Sequence, residues 1–305
     1  MQKVFRRNIL FNTMLKYYLT ELFEPTLLFG LLPAILGIIV AWHLGATALI
    51  YGVLAAVGVV LAQMAVNLID DYVDFKSGLD KDTEHTKFSG GSSLVTKGMI
   101  KLDNVLKLGL LCLAAASLIG VYLIVKDLLL LPFFLIGIFS VVFYTKYLLK
   151  VPFAGEPVAA LSFVCIVLGT FIASGGQHLL LGIAAFAAVP AGLQVGIAVL
   201  VNEVPDRKAD AKHGRRHSAV MFKSMRTEAL YYLALNIITY AVVSVGVVLR
   251  ALPLQSLLVF LTAPIVWAVG CSMANYKSAK GYVPAMANGA MTELGMILIL
   301  ILSFV

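Results

Sequence analysis

The sequence predicts an all-α, polytopic membrane protein: one membrane-embedded domain over residues 1–305, built as a bundle of nine transmembrane helices. Three observations predict it. Of 305 residues, 61% are hydrophobic and only 13% are charged, about half the charged share of a soluble domain, and the mean hydropathy is +0.96. Apolar runs recur at the length needed to cross a hydrocarbon core about 30 Å thick, roughly 20 residues each. The lysines and arginines fall almost entirely on alternate connections between those runs, the bias that orients membrane proteins. A soluble globular enzyme is excluded, because a water-facing surface needs more polar side chains than this chain owns. Disorder, collagen and a disulfide scaffold are excluded by the same composition.

The nine expected spans are Leu22–Trp42, Thr47–Val66, Val105–Val125, Leu128–Tyr144, Val158–Ser174, Leu179–Val201, Ala229–Leu249, Leu254–Met273 and Val283–Phe304. The first is too long for a cleaved signal peptide, and further spans follow it. Pro25, Pro33, Pro190 and Pro264 fall in or near spans, as is common where neighbouring helices can satisfy the freed backbone groups. Cys112, Cys165 and Cys271 lie inside apolar runs. They read as buried small hydrophobes with no disulfide framework.

With the N-terminus in the cytoplasm, Lys3, Arg6, Arg7 and Lys16 lie inside, as do the connections after spans two, four, six and eight. Together with Lys107 at the inner edge of span three, these hold 21 of the 23 Lys and Arg residues; Lys126 and Arg250 remain outside. The topology is therefore expected to be N-in and C-out. A net charge of +7 then reflects orientation in the bilayer, and no nucleic-acid partner is expected.

The acids are concentrated at two span ends. Seven of the 16 Asp and Glu residues lie between Asp70 and Asp103, and Glu203, Asp206 and Asp210 follow span six. The first cluster reads Asn67-Leu-Ile-Asp70-Asp71-Tyr-Val-Asp74-Phe-Lys-Ser-Gly78-Leu-Asp80. If span two continues through it as a helix, Asn67, Asp70 or Asp71, and Asp74 share one face. In the second cluster Asn202, Asp206 and Asp210 are spaced i, i+4, i+8. Each span thus leaves the membrane with an amide followed by a ladder of acids. Like charges 4 Å apart repel by about 4 kcal/mol at an effective dielectric near 20. A hard divalent cation removes that cost, and Mg²⁺ typically joins one or two carboxylates to substrate phosphates. Two such clusters face to face can hold metal ions with a diphosphate between them.

Cations flank both clusters: Lys76, Lys81, Lys87 and Lys97 beside the first, and Arg207, Lys208, Lys212, Arg215 and Arg216 beside the second. Lys146 and Arg216 stand nearest to spans and polar partners in the sequence and are the preferred anion-binding candidates. His43, His85, His178, His213 and His217 form no metal-spacing pair. His213 and His217 flank a Gly-Arg-Arg turn and read as loop residues.

These stretches resemble the UbiA superfamily of intramembrane prenyltransferases. Asn67 to Asp80 is similar to that family's first Asp-rich motif, especially in the menaquinone branch (1,4-dihydroxy-2-naphthoate prenyltransferases). Asn202 to Asp210, continuing through Gly214-Arg215-Arg216, resembles the second. Ser89-Gly90-Gly91-Ser92, Tyr144-Thr-Lys146 and Gly155-Glu156-Pro157 also look like the menaquinone branch. The chain departs from the pattern in three places: either Asn67 or Asp70 fills the family's leading Asn position, Gly78 stands where an acid is common, with Asp80 near it, and Glu24 replaces an Arg before the first-span Pro.

The resemblance implies a helical bundle with a cavity opening to the cytoplasmic face and sideways to lipid. It implies a membrane-soluble polyprenyl diphosphate donor and a small aromatic or lipid acceptor, with Mg²⁺ (or Mn²⁺) as cofactor. Asp70, Asp71, Asp74, Asp206 and Asp210 would hold the metal, and Asn67 and Asn202 would orient ligands or bind diphosphate oxygens. Lys146, Arg207 and Arg216 would offset charge on the leaving group. Tyr144, Tyr72 and Phe75 are the aromatic candidates for shielding an allylic cation, and Asp74 is a candidate to take the released proton. Two alternatives stand beside this reading. Within the family it is transfer to a geranylgeranylglyceryl phosphate-type lipid ether. From another class it is an ion-coupled secondary transporter, in which intramembrane acids serve coupling near the midplane.

Overall fold

The computed structural model describes residues 26–84, 86, 95 and 99–305, and every regular element among them is helical. The principal helices are α1 (Leu27–His43), α2 (Leu49–Ser77), α3 (Leu102–Lys126), α4 (Leu130–Phe143), α5 (Gly155–Ala173), α6 (Leu181–Lys212), α7 (Met225–Val248), α8 (Ala263–Ala274) and α9 (Ala279–Ser303). Short helices at Leu79–Asp82 and Ser218–Met221 follow α2 and α6. Seven segments are long and apolar enough to cross a membrane: α2, α3, α5, α7, α9, His178–Lys212 and Leu254–Ala274. The other two expected spans correspond to α1 and α4, which are apolar but have only 17 and 14 residues. The start of the first expected span, residues 22–25, lies outside the described residues, as do Lys3, Arg6, Arg7, Lys16, His85, Lys87, Lys97 and the Ser89–Ser92 stretch.

The helices pack through small side chains and present large ones outward. Ala34, Ala41, Ala184, Ala187, Ala188 and Ala191 are all fully buried, whereas Ile50, Leu118, Val125 and Leu179 are exposed. That distribution suits a bundle whose surroundings are as apolar as its core, where close backbone approach holds helices together. Gly196 shows how close: a Cβ there would stand 2.7 Å from the carbonyl oxygen of Glu156 on α5. Cys112 and Cys165 are buried as expected, but Cys271 is exposed. The expectation of burial is corrected because an apolar run does not say which of its faces meets the neighbouring helices.

The eighth expected span differs in its winding. Leu254–Thr262 is a 3₁₀ helix and the α-helix begins at Ala263, with Pro264 at its first turn. Proline lacks an N–H and fits the first turn of an α-helix, where that donor would have no partner within the helix.

The two ends of the bundle can be told apart by their cross-links. At one end His43 Nδ1 lies 2.9 Å from the Phe304 carbonyl oxygen, and His178 Nε2 lies 2.6 Å from Asp127 Oδ2. At the other end α2 and α6 both terminate, so the acid ladders share one end.

Candidate functional site at the acidic helix exits

Helix α2 carries its ladder as continuous α-helix for 29 residues and stops at Gly78, whose φ of 81° is a left-handed helix cap, a conformation glycine adopts without steric cost. Gln63, Asn67, Asp70 and Asp74 follow one stripe at helical spacing. Gln63 Nε2 donates to Asn67 Oδ1 at 3.0 Å, and Asn67 Nδ2 donates to Thr26 Oγ1 at 2.8 Å. One Asp70 oxygen accepts from the Thr145 hydroxyl, and one Asp74 oxygen accepts from Arg215. Asp71 is half-buried beside them. Lys76 turns away, donating to the Tyr72 hydroxyl at 3.0 Å. Phe75 packs on a small core with Leu68, Ile100 and Val105.

Helix α6 runs unbroken through Pro190 and Pro205 to Lys212. Asn202, Asp206 and Arg207 are half-buried, and Asp210 is buried. The chain then reverses: Gly214 takes φ 80° and the Arg215 amide donates to the Asp210 carbonyl at 2.9 Å. This turn is fastened to the loop after α4, where the Arg216 amide donates to the Leu149 carbonyl at 2.7 Å and the Phe153 amide donates to the Arg216 carbonyl at 3.0 Å. The reversal aims Arg215 back across the gap. Its guanidinium bonds Asp210 Oδ1 at 3.1 Å and, through its other terminal nitrogen, Asp74. Burial works against its charge, but Asp74, Asp70 and Asp210 outweigh burial and push its pKa up. The two acid ladders are thus joined by a cation from the turn after α6.

A second layer lies behind. His217 is 1% exposed; its Nε2 sits 2.9 Å from Asp210 Oδ2, and its Nδ1 lies 3.4 Å from Glu203. The Ser218 amide donates to Glu156 at 2.9 Å and its hydroxyl to Glu228 at 2.6 Å. His217 does lie in a loop, as expected, yet its ring is buried against Asp210, the last acid of the α6 ladder. Helix spacing pointed to neither this layer nor the choice of Arg215. The available signals were the isolated Glu156 and Glu228 at the ends of apolar runs.

Below the exits lies a cavity of about 430 Å³, within the size range of small-ligand sites. Asn67, Asp70, Asn202 and Tyr144 stand at its polar end, while Phe133 and Phe134 line the apolar part. The Tyr144 hydroxyl is buried with no hydrogen-bond partner among the described residues. Lys146 and Arg216 are exposed, and Lys146 lies 5.1 Å over the Tyr147 ring.

Among the described residues, no three Asp, Glu, His or Cys side chains already converge as a cage for one ion. The donor set nevertheless fits a hard divalent cation: Asp70, Asp71, Asp74, Asp206 and Asp210 offer carboxylate oxygens, and Asn67 and Asn202 offer amide oxygens. Arg215 pairs with two of these five acids, Asp74 and Asp210, and the set as a whole keeps a negative surplus that a divalent ion suits.

Residues 30–289 match the UbiA prenyltransferase family. Solved structures share the fold. A UbiA homologue from Aeropyrum pernix K1 is 18% identical over 90% of this chain and 96% of its own, with a TM-score of 0.67. One from Archaeoglobus fulgidus bound to DMAPP and Mg²⁺ is 16% identical over 92% and 98%, with a TM-score of 0.58. The structure of digeranylgeranylglyceryl phosphate synthase is 15% identical over 95% and 98%, with a TM-score of 0.62. No curated protein sequence matches the chain significantly.

Proposed function

The chain belongs to the UbiA prenyltransferase family, and from that premise and the geometry of its helix exits we propose that it transfers a polyprenyl group from an allylic diphosphate to a hydroxylated aromatic acceptor. One observation carries the reading: two acid-bearing helix ends meet at the polar end of an apolar cavity and share Arg215. The Archaeoglobus fulgidus homologues bound to DMAPP, to GPP and to Mg²⁺ or Cd²⁺ support a diphosphate donor and a divalent ion.

Asp70, Asp71, Asp74, Asp206 and Asp210 would hold Mg²⁺, which supplies a Lewis acid and a template for the departing diphosphate. Asn67 and Asn202 present amide groups to the head group. A guanidinium has five N–H donors, so Arg215 can hold both acid ladders and still offer donors to a phosphate oxygen. Such charge-assisted bonds strengthen as the leaving group gains charge. Arg207 adds positive charge from α6, and exposed Lys146 and Arg216 draw the anion to the mouth. The donor tail lies in the apolar cavity, whose walls exclude water from an allylic cation, with Phe133, Phe134 and Tyr144 as the rings whose faces could stabilise it. Asp74 remains the candidate to take the released proton.

The stretches Gly155-Glu156-Pro157, Tyr144-Thr-Lys146 and Ser89-Gly90-Gly91-Ser92 favour dihydroxynaphthoate as acceptor, in lipid-quinone biosynthesis. A lipid-ether reaction is the second reading, favoured by the fold shared with digeranylgeranylglyceryl phosphate synthase. Retention of 21 of 23 cations on alternate connections supports nine spans, N-in, with the exits at the cytoplasmic face. Incubating the protein with Mg²⁺, geranyl diphosphate and both acceptor types, then weighing the products, tests the assignment. A prenylated naphthoate is expected. A prenylated glyceryl phosphate supports the second reading, and no prenylated product with either acceptor overturns the proposal.

A further inference from the structure

The reading above accounts for the donor's head group and tail and leaves open where the acceptor is held. Glu293 supplies a place. It lies within α9, is 1% exposed and borders the same cavity as Asn67 and Asn202. Both its carboxylate oxygens lack a hydrogen-bond partner among the described residues. Other buried acids around the exits are engaged: Asp210 with Arg215 and His217, Glu156 with the Ser218 amide, and Glu228 with the Ser218 hydroxyl.

Helix packing gives the depth of Glu293. A Cβ on Gly289 would stand 3.1 Å from Val201, the residue before Asn202. Glu293 is one turn further along the same face of α9. Helix α9 runs from the acidic end towards Phe304, which meets His43 at the opposite end. At 1.5 Å per residue, Glu293 therefore sits about 6 Å deeper than that contact. Its carboxyl group lies beneath the polar end, within reach of a small molecule seated below the donor's head group.

A buried polar group without a partner is unfavourable, and a ligand that brings the missing partner removes the deficit. We propose that Glu293 accepts a hydrogen bond from a hydroxyl group of the acceptor and so selects acceptors that carry a free O–H into the cavity. The cavity lining contains no Lys, Arg or His among the described residues, so a naphthoate acceptor would turn a hydroxyl to Glu293 and keep its carboxylate towards the polar end, nearer the cations of the exits. The donor's isoprenoid tail has no group to offer Glu293; it suits the wall of α3 and α4, where Ile119, Phe133 and Phe134 lie. That the hydroxyl belongs to an acceptor rests on the prenyl-transfer reading; the hydroxyl subsite itself does not.

The test uses the full chain in lipid nanodiscs, without donor, and two probes on one ring system: 1-naphthol and its methyl ether, which has no O–H to donate. Wild type is expected to prefer the naphthol by about tenfold, the scale of one net hydrogen bond. Glu293→Leu should abolish the preference and leave binding of the ether intact. Difference infrared spectra of wild type should show a carboxyl band that shifts with naphthol and not with the ether, and that is missing in Glu293→Gln. Equal affinity of wild type for both probes, an unchanged preference in Glu293→Leu, or no carboxyl shift overturns the proposal. Should Glu293→Leu fail to fold, the wild-type preference and spectrum decide. No preference in wild type, with turnover of geranyl diphosphate intact, refutes the subsite alone; a wild-type preference without turnover refutes the transfer reading alone.

Discussion

Replacing Arg215 with Met removes the cation that joins the two acid ladders without removing much volume. The Arg215 and Asp74 side chains are 15% and 14% exposed and that of Asp210 is 2% exposed, so the acids it leaves cannot recover full hydration. Removing one partner of a buried ion pair typically costs about 3–5 kcal/mol. Asp210 keeps the His217 ring at 2.9 Å, which places the expected loss near the lower end, about 3 kcal/mol. Asp74→Asn in the same chain removes the stranded charge, so the double variant should recover about 1–3 kcal/mol relative to the sum of the singles. Arg215→Lys should lie between wild type and Met, because an ammonium is a point charge and cannot fork across two acids. The assay is equilibrium unfolding in mixed micelles, with EDTA present, read by far-ultraviolet circular dichroism. Additivity of the two singles within about 0.5 kcal/mol would refute the claim that Arg215 neutralises Asp74.

Two further outcomes follow from the packing and from the loop after α2. Gly196→Leu should block the seating of α6 on α5, because even a Cβ would meet the Glu156 carbonyl oxygen at 2.7 Å; thermal unfolding should show a loss of a few kcal/mol, as over-packed cores do, about 1–3, and an unchanged midpoint would contradict the close crossing. Asp82 has its pKa lowered by hydrogen bonds from Lys212, at 2.8 Å, and from His213, at 2.7 Å. A lowered acid stabilises above its unfolded pKa and stops doing so as pH falls through the folded one. Limited proteolysis of the connection between α2 and α3 should therefore stay slow on acidification down to the ordinary carboxylate range, accelerate only below it, and lose this pH dependence in Asp82→Asn.

Much of the bundle was legible because apolar runs and acid ladders are one-dimensional patterns. Asn202, Asp206 and Asp210 share a face wherever α6 stays helical, and the structure keeps it helical past the expected span end at Val201 and through Pro205 to Lys212. What the pattern does not contain is the turn after it. Arg215 and Arg216 are adjacent and chemically alike, and only the φ of 80° at Gly214 and the hooks to Leu149 and Phe153 send the first inward and the second to solvent. Lys146, chosen for its nearness in sequence to the fourth span, is exposed for the same reason: proximity along the chain says nothing about direction. His217 sits in a loop, and its burial against Asp210 depends on how that loop folds back. Glu293 was visible as a lone acid in an apolar run, a signal of function inside membranes, but its relation to the cavity needs the seating of α9 on α6. Cys271 and the 3₁₀ start at Leu254 were missed because hydropathy records neither the face of a helix nor its winding.

The central claim is that the α2 and α6 exits grip one diphosphate together through divalent ions. Equilibrium binding of geranyl diphosphate to the full chain, with Mg²⁺ or with EDTA, in wild type, Asp74→Asn and Asp210→Asn, tests it most directly. The account predicts Mg²⁺-dependent binding that falls by about tenfold or more, 1.4 kcal/mol per tenfold, when the acid on either helix is neutralised. Binding that survives EDTA, or that is indifferent to the acid on one of the two helices, would contradict it.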